Sequence, residues 1–166
     1  MKRPFEQAVR VHGPTVLRVC RAVLGPHADA DDAWSETFLA ALQAWPELPD
    51  DTNVEAWLVR VAHRKAIDVT RRRQRQAIPT DDLPERASAL GRPDDDHLEI
   101  WATVKRLPPK QRQAIAYRYL GGLAYAQIAE LTGGTTDAAR RAASDGIRAL
   151  RQHPLFADEY LEGDSR

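Results

Sequence analysis

The chain has 166 residues, 24 basic and 24 acidic side chains, and 43% hydrophobic residues. That composition excludes a disordered chain, and no window approaches the run of about 18 apolar residues that a membrane-spanning helix needs. Cys20 is the single cysteine, which excludes an intramolecular disulfide and any cysteine-cluster zinc site.

The N-terminus, MKRPFEQAVRVHG, lacks the apolar core and small-residue cleavage site of a secretory signal, so the chain is expected to stay in the cytoplasm. Apolar residues recur at helical spacing almost everywhere, and no stretch alternates as a strand does. The expected class is all-α. A first helix covers Phe5 to Leu24, with a break expected at Gly13 and Pro14 and a stop at Gly25 and Pro26. A second begins after Asp29, the expected N-cap, with Asp31 and Asp32 in its first turn. Its inward stripe reads Trp34, Phe38, Ala41, Leu42 and Trp45, apolar at helical spacing. After the turn from Pro46 to Asp51, Thr52 and Glu55 have the spacing of a capping box. They open a third helix that runs to Arg75.

Residues 79–99, PTDDLPERASALGRPDDDHLE, have no period and read as a linker. A second helical unit then runs from Ile100 to Leu107, through a helix entered at Pro108 and Pro109 and stopped at Gly121 and Gly122. A short helix from Tyr125 to Leu131, a turn at Gly133 and Gly134, and a last helix from Thr136 to Gln152 complete it. The tail after Pro154 is expected to fray. The domains so drawn are 1–78 and 98–153, joined by an acidic linker at 79–97 and followed by a tail at 154–166.

The zero net charge hides alternation. Residues 1–53 carry net −3, 54–78 net +5, 79–99 net −5, 100–152 net +6, and the tail net −3. Two basic blocks flanking an acidic one suggest two polyanion-facing surfaces joined by a strip that avoids nucleic acid.

The third helix sorts into faces at about 100° per residue. Val54, Leu58, Val61, Ala62 and Val69 share the arc expected to be buried. With Leu58 at zero, Arg60, Arg64, Arg71 and Arg75 fall at about 200°, 240°, 220° and 260°, and Trp57 joins them at about 260°. Guanidinium groups that track phosphates, with a flat ring for stacking, suit single-stranded or opening DNA. A charge run alone is more often a solvated face. The second half adds a helix-turn-helix pattern: small Ala129 at the close approach, Gly133 in the turn, then a helix carrying Arg140 and Arg141. Asp137 and Asp145 dilute its basic character.

Three segments carry a family resemblance: ADADDAWSETFLAALQAW, VEAWLVRVAHRKAIDVTRRRQ and LPPKQRQAIAYRYLGGLAYAQIAELTGG. In order and spacing they resemble the sigma-70 family, extracytoplasmic-function (ECF) type, in its minimal two-domain form. The resemblance covers nearly the whole chain. It implies a factor that binds core RNA polymerase through the clamp helices and flap, reads promoter -35 and -10 elements, helps melt the DNA, and has an anti-sigma factor or another protein regulator as a further partner. It implies no catalysis, no cofactor, no metal and no membrane insertion.

By position, Asp32, Glu36, Leu39 and Gln43 would contact polymerase. Asp50, Asp51, Thr52 and Asn53 correspond to the family's pocket for a flipped non-template base, with Trp57 and Arg60 beside it and Arg64 and Arg71 further along the same helix. Arg118, Thr135, Thr136, Arg140, Arg141 and Ser144 would face the -35 element. The chain departs from the family in having Arg64 where relatives often have Asn. In its last helix it has Asp137-Ala138-Ala139-Arg140-Arg141-Ala142 where Gly-Thr-Val-Lys/Arg-Ser-Arg is usual, and Asp145 where a basic residue is expected. Ala139 thereby takes the customary aliphatic core position.

Two other classes compete. A metal-dependent helical enzyme would use Asp29, Asp31, Asp32 and Glu36, but the histidines at 12, 27, 63, 97 and 153 show no ligand spacing. An ordinary helix-turn-helix regulator would bind a palindrome as a dimer without polymerase, whereas a sigma factor co-purifies with core polymerase.

Overall fold

The computed structural model describes residues 3–76 and 98–157. The acidic linker expected at 79–97 and the end of the tail lie outside them. The order is α1 (Phe5–Leu24), α2 (Ala28–Ala44), a single 3-10 turn, α3 (Val54–Arg75), α4 (Leu98–Lys105), α5 (Pro109–Ile115), a π turn (Ala116–Leu120), α6 (Tyr125–Thr132), α7 (Thr136–Arg151) and a short α8 (Pro154–Ala157). The class is all-α, as the periodicity predicts. No described helix is long and apolar enough to cross a membrane.

Helix α1 continues through Pro14 where a break was expected. Its neighbours hold it: α1 packs against both α2 and α3, and one missing backbone hydrogen bond does not outweigh that burial. Gly13 marks a close approach instead. Trp34 Nε1 donates to the Gly13 carbonyl at 3.0 Å, and the indole lies 3.5 Å from where a Cβ would stand.

Helix α2 starts one residue before Asp29, and His27, in extended conformation, occupies the N-cap position without a side-chain cap bond. Asp29 is not free to cap, because it binds Arg73 of α3 at 2.8 Å. Leu42, expected inward, is 51% exposed. The buried residues Ala30, Ala33, Thr37, Phe38 and Ala41 centre about 120° from it around the helix, which leaves Leu42 outside the stripe. Helix α3 is capped by Asn53, whose side chain accepts from the Ala56 backbone at 3.1 Å. Thr52 and Glu55 therefore form no capping box. The Glu55 carboxylate instead meets His12 Nδ1 of α1 at 3.3 Å.

The two helical units share one apolar core. It runs from Val16, Val19 and Cys20 of α1 through Leu58 and Ala62 of α3 to Ile115, Leu123 and Ile128 of the second unit. Helix α1 lies at the centre of the assembly, in contact with α4, α5 and the π turn as well as with α2 and α3. Burial pushes the Cys20 thiol up to about 12, with the nearby Asp31 charge acting in the same direction.

Helix α7 crosses α5 at Gly146, where a Cβ would lie 2.4 Å from Ile115 Cδ1 and 3.4 Å from Gln111 Cβ. Glycine inside a helix costs about 1 kcal/mol relative to alanine, and the closeness of that crossing is what the residue provides.

Candidate nucleic-acid interface

The expected basic stripe of α3 divides by partner. Arg72 and Arg73 turn to α2, binding Glu36 at 2.7 Å and Asp29 at 2.8 Å. These pairs engage Asp29 and Glu36, two of the four carboxylates that a metal site would have used. Arg64 and Arg71 are exposed and, with Lys65 and Trp57, line a cleft of about 560 Å³ between α2 and α3. Trp57 is half-buried. Its ring lies 6.4 Å from that of Trp45 at 50°, and it packs on the core edge. It therefore belongs partly to the core and partly to the basic cleft. Arg60 faces elsewhere: its Nη2 lies 3.9 Å from Glu130 Oε2 of α6.

The loop before α3 is exposed at Asp50, Asp51 and Asn53 and half-buried at Thr52. Asp50 joins Arg3, His12, Trp45 and Val54 around a cleft of about 250 Å³. On α2, Asp32, Leu39 and Gln43 are exposed, while Glu36 is partly covered by Arg72. Leu39 is 62% exposed and Leu42 51%, so the outer face of α2 presents an apolar patch with charge around it.

In the second unit Tyr125 organises two of the expected DNA-facing residues. The Arg118 guanidinium carbon lies 4.7 Å from the Tyr125 ring centroid and that of Arg140 lies 5.3 Å from it, both within cation–π range. Arg118 also donates to the Leu123 carbonyl at 3.2 Å, and Arg140 binds Asp137 at 2.9 Å. Thr135 caps α7, its hydroxyl accepting from the Ala138 backbone at 3.0 Å, and Thr136 opens the helix. Arg141 and Ser144 are exposed. Asp145 lies 3.8 Å from Arg148. Ala139 is buried, as its core register requires.

Residues 8–76 match the model of sigma-70 region 2, and residues 97–150 match that of sigma-70 region 4. The ECF RNA polymerase sigma factor SigD of Mycobacterium tuberculosis (strain H37Rv) is 32% identical over 159 residues, covering 89% of this chain and 75% of that protein. The chain belongs to the sigma-70 family, ECF type. The RNA polymerase sigma-E factor of Streptomyces coelicolor is 24% identical over 157 residues, covering 93% of this chain and 88% of its own length. Among solved structures, the sigma factor RpoE of Bartonella quintana, in complex with the anti-sigma factor NepR, shares the fold with a TM-score of 0.70 at 19% identity. That match spans 97% of this chain and 98% of the other. CnrH, in complex with the cytosolic domain of CnrY, gives 0.63 at 25% identity, over 93% and 88%. This ECF sigma factor thus binds core RNA polymerase and promoter DNA and directs promoter-specific initiation.

Sequence reasoning missed four residues. Val59 and His63 lie off the arc of α3 assigned to the core, yet both are buried, because the π turn covers that side of the helix. His63 Nδ1 and the Tyr117 hydroxyl share a short hydrogen bond between the units. Lys65 falls inside the arc assigned to the core, at about 340°, and its place in the cleft depends on α2. Tyr125 reads in sequence as an apolar start to α6.

Burial lowers the His63 pKa, Arg64 lowers it further, and the Leu131 backbone works the other way. Tyr117 from the π turn and Leu131 from α6 face the ring, with the Arg60–Glu130 pair close by on the same helices. Burial pushes the Tyr117 hydroxyl up, so it donates and neutral His63 accepts. A depressed histidine pKa means that the unfolded chain takes its proton first as pH falls. The stability contributed by this contact is therefore complete above about pH 6.5 and is lost progressively below it. Thermal melting at pH 7.5 and 5.5 checks this: the acid-induced drop should be smaller in His63→Gln than in the wild type.

Proposed function

We propose that the two units divide promoter work as the charge blocks suggest. The outer face of α2, with Asp32, Glu36, Leu39 and Gln43, docks on the clamp helices of core polymerase. Leu42, exposed beside Leu39, extends that surface. The loop Asp50, Asp51, Thr52 and Asn53, with Trp57, Arg60, Arg64 and Arg71, handles the -10 element, the displaced base entering the cleft beside Asp50 and Trp45. Arg118, Thr135, Thr136, Arg140, Arg141 and Ser144 face the -35 element. The observation that carries this reading is the cleft in which Trp57 meets Arg64, Lys65 and Arg71: a ring that can stack on a base lies among cations that can hold its phosphates.

In this reading the chain supplies no catalytic group and acts in the cytoplasm, and polymerase performs the chemistry. An anti-sigma factor is a further partner, supported by the complexes in which the two structural neighbours were seen. Run-off transcription with core polymerase tests the reading. Transcripts should require both components, and Leu39→Asp should abolish them together with co-purification of polymerase. Binding of a palindromic site by a dimer of this chain, with no polymerase requirement, would replace it with the simple regulator.

A further inference from the structure

A cavity of about 310 Å³ lies where α1 and α3 meet α5, at the seam between the two units. Its lining sorts by chemistry. Val23 of α1 with Ala66 and Ile67 of α3 supply an apolar wall, and Gln113 of α5 adds a side-chain amide. Two guanidinium groups join them, Arg71 from α3 and Arg112 from α5, and no lining residue is acidic.

Arg112 is the more informative of the two cations. Its Nη1 donates to the Lys105 carbonyl at 2.8 Å, but its Nε is buried without a hydrogen-bond partner. Burial lowers its pKa, and the nearby Tyr117 offsets that only in part. Among the described residues neither Arg112 nor Arg71 pairs with a carboxylate. A buried cationic donor without a partner is costly, and an anion in the cavity would supply the missing acceptor.

Thr70 adds the opposite requirement. Its hydroxyl donates to the Ala66 carbonyl at 2.9 Å, which leaves the oxygen free only to accept. The lining therefore suits an anion that carries an apolar body and its own hydroxyl or amino donors. Ligand pockets run from about 300 to 1,000 Å³. This one sits at the small end, which fits a mononucleotide and not a dinucleotide.

We propose that the cavity between α1, α3 and α5 binds a nucleoside monophosphate, with the phosphate between Arg71 and Arg112 and the nucleoside along the wall of Val23, Ala66 and Ile67. Thr70 and Gln113 meet its polar edge. The ligand touches α3 and α5 at once, so binding it adds to the stability of the contact between the units in proportion to its concentration above Kd. The abundance of a small metabolite would thereby reach a chain whose own residues carry no chemistry.

Calorimetric titration of the full-length chain with adenosine 5′-monophosphate tests this, with inorganic phosphate and adenosine as separate arms. One nucleotide should bind per chain and raise the melting temperature, and each half-ligand should bind at least tenfold more weakly. Arg71→Ala, at an exposed position, should weaken nucleotide binding about tenfold or more, as loss of a hydrogen bond to a charged group predicts. Arg112→Lys, which keeps the charge and loses the fork, should do the same while the chain remains folded. No binding at millimolar nucleotide by the folded wild type overturns the proposal. Unchanged binding in Arg71→Ala overturns it as well, because the nucleotide then sits elsewhere. So does equal affinity for inorganic phosphate, because the apolar wall would then hold nothing.

Discussion

Replacing Arg140 and Arg141 together by alanine should reduce promoter binding by the holoenzyme by at least tenfold, with a shallower dependence on salt. The loss of a base-reading arginine costs about 1–3 kcal/mol, and each lost phosphate contact lowers the salt slope by roughly one. The last helix offers few substitutes. Asp137 and Asp145 are acidic, and Arg148 lies 3.8 Å from Asp145. The two arginines are not equivalent. Arg140 is held between Asp137 and the Tyr125 ring, whereas Arg141 is exposed with no such restraint. Arg140→Ala alone should therefore lose more specificity, and Arg141→Ala more salt dependence. Asp145→Arg should strengthen binding, since it removes a repulsive charge and adds a phosphate partner. Holoenzyme affinity measured against salt for these variants decides the matter. Wild-type affinity in the double variant would mean that α7 does not read DNA.

Trp57→Leu should block promoter opening while leaving the association of the chain with polymerase nearly unchanged. Leucine keeps an apolar contact with Trp45 and the core edge, so the fold survives, but it removes the flat face offered to a base. Base stacking on an aromatic side chain is worth about 1–3 kcal/mol per base, enough to reduce the open fraction between severalfold and about a hundredfold. Permanganate reactivity of unpaired thymines reads that fraction directly. Normal reactivity with a normal melting temperature would assign Trp57 to packing alone.

The helices were legible because their signals are local. Proline and glycine punctuation placed the ends of α1, α5 and α7, and the 3.6-residue period found Leu58, Ala62 and Val69 in the core. What the sequence hid depends on partners distant along the chain. Asp29 reads as a cap until Arg73 is brought to it. Leu42 reads as core until the width of the α2 stripe is known. Pro14 reads as a break until Trp34 is seen against Gly13. The candidate site follows the same division. Its arginines and Trp57 were visible on one arc of α3, but that arc is shared out among the cleft, α2 and the second unit. No period reports such a division, because a helical wheel shows which residues share a face and not what covers it. The π turn, whose closing bond runs from the Gly121 amide to the Ala116 carbonyl at 3.0 Å, is a local departure that brings Tyr117 and Gly121 against α3.

Cys20 lies at the seam between the units. It is 1% exposed, and it is close enough to Tyr117 to contribute to raising that hydroxyl's pKa. In the folded chain the thiol is neither accessible nor ionised, and thiolate is the form that reacts with alkylating reagents. Iodoacetamide consumption by the native chain therefore counts excursions in which the seam parts. With one sulfhydryl per molecule, the rate is a built-in clock for those excursions, read without adding any label.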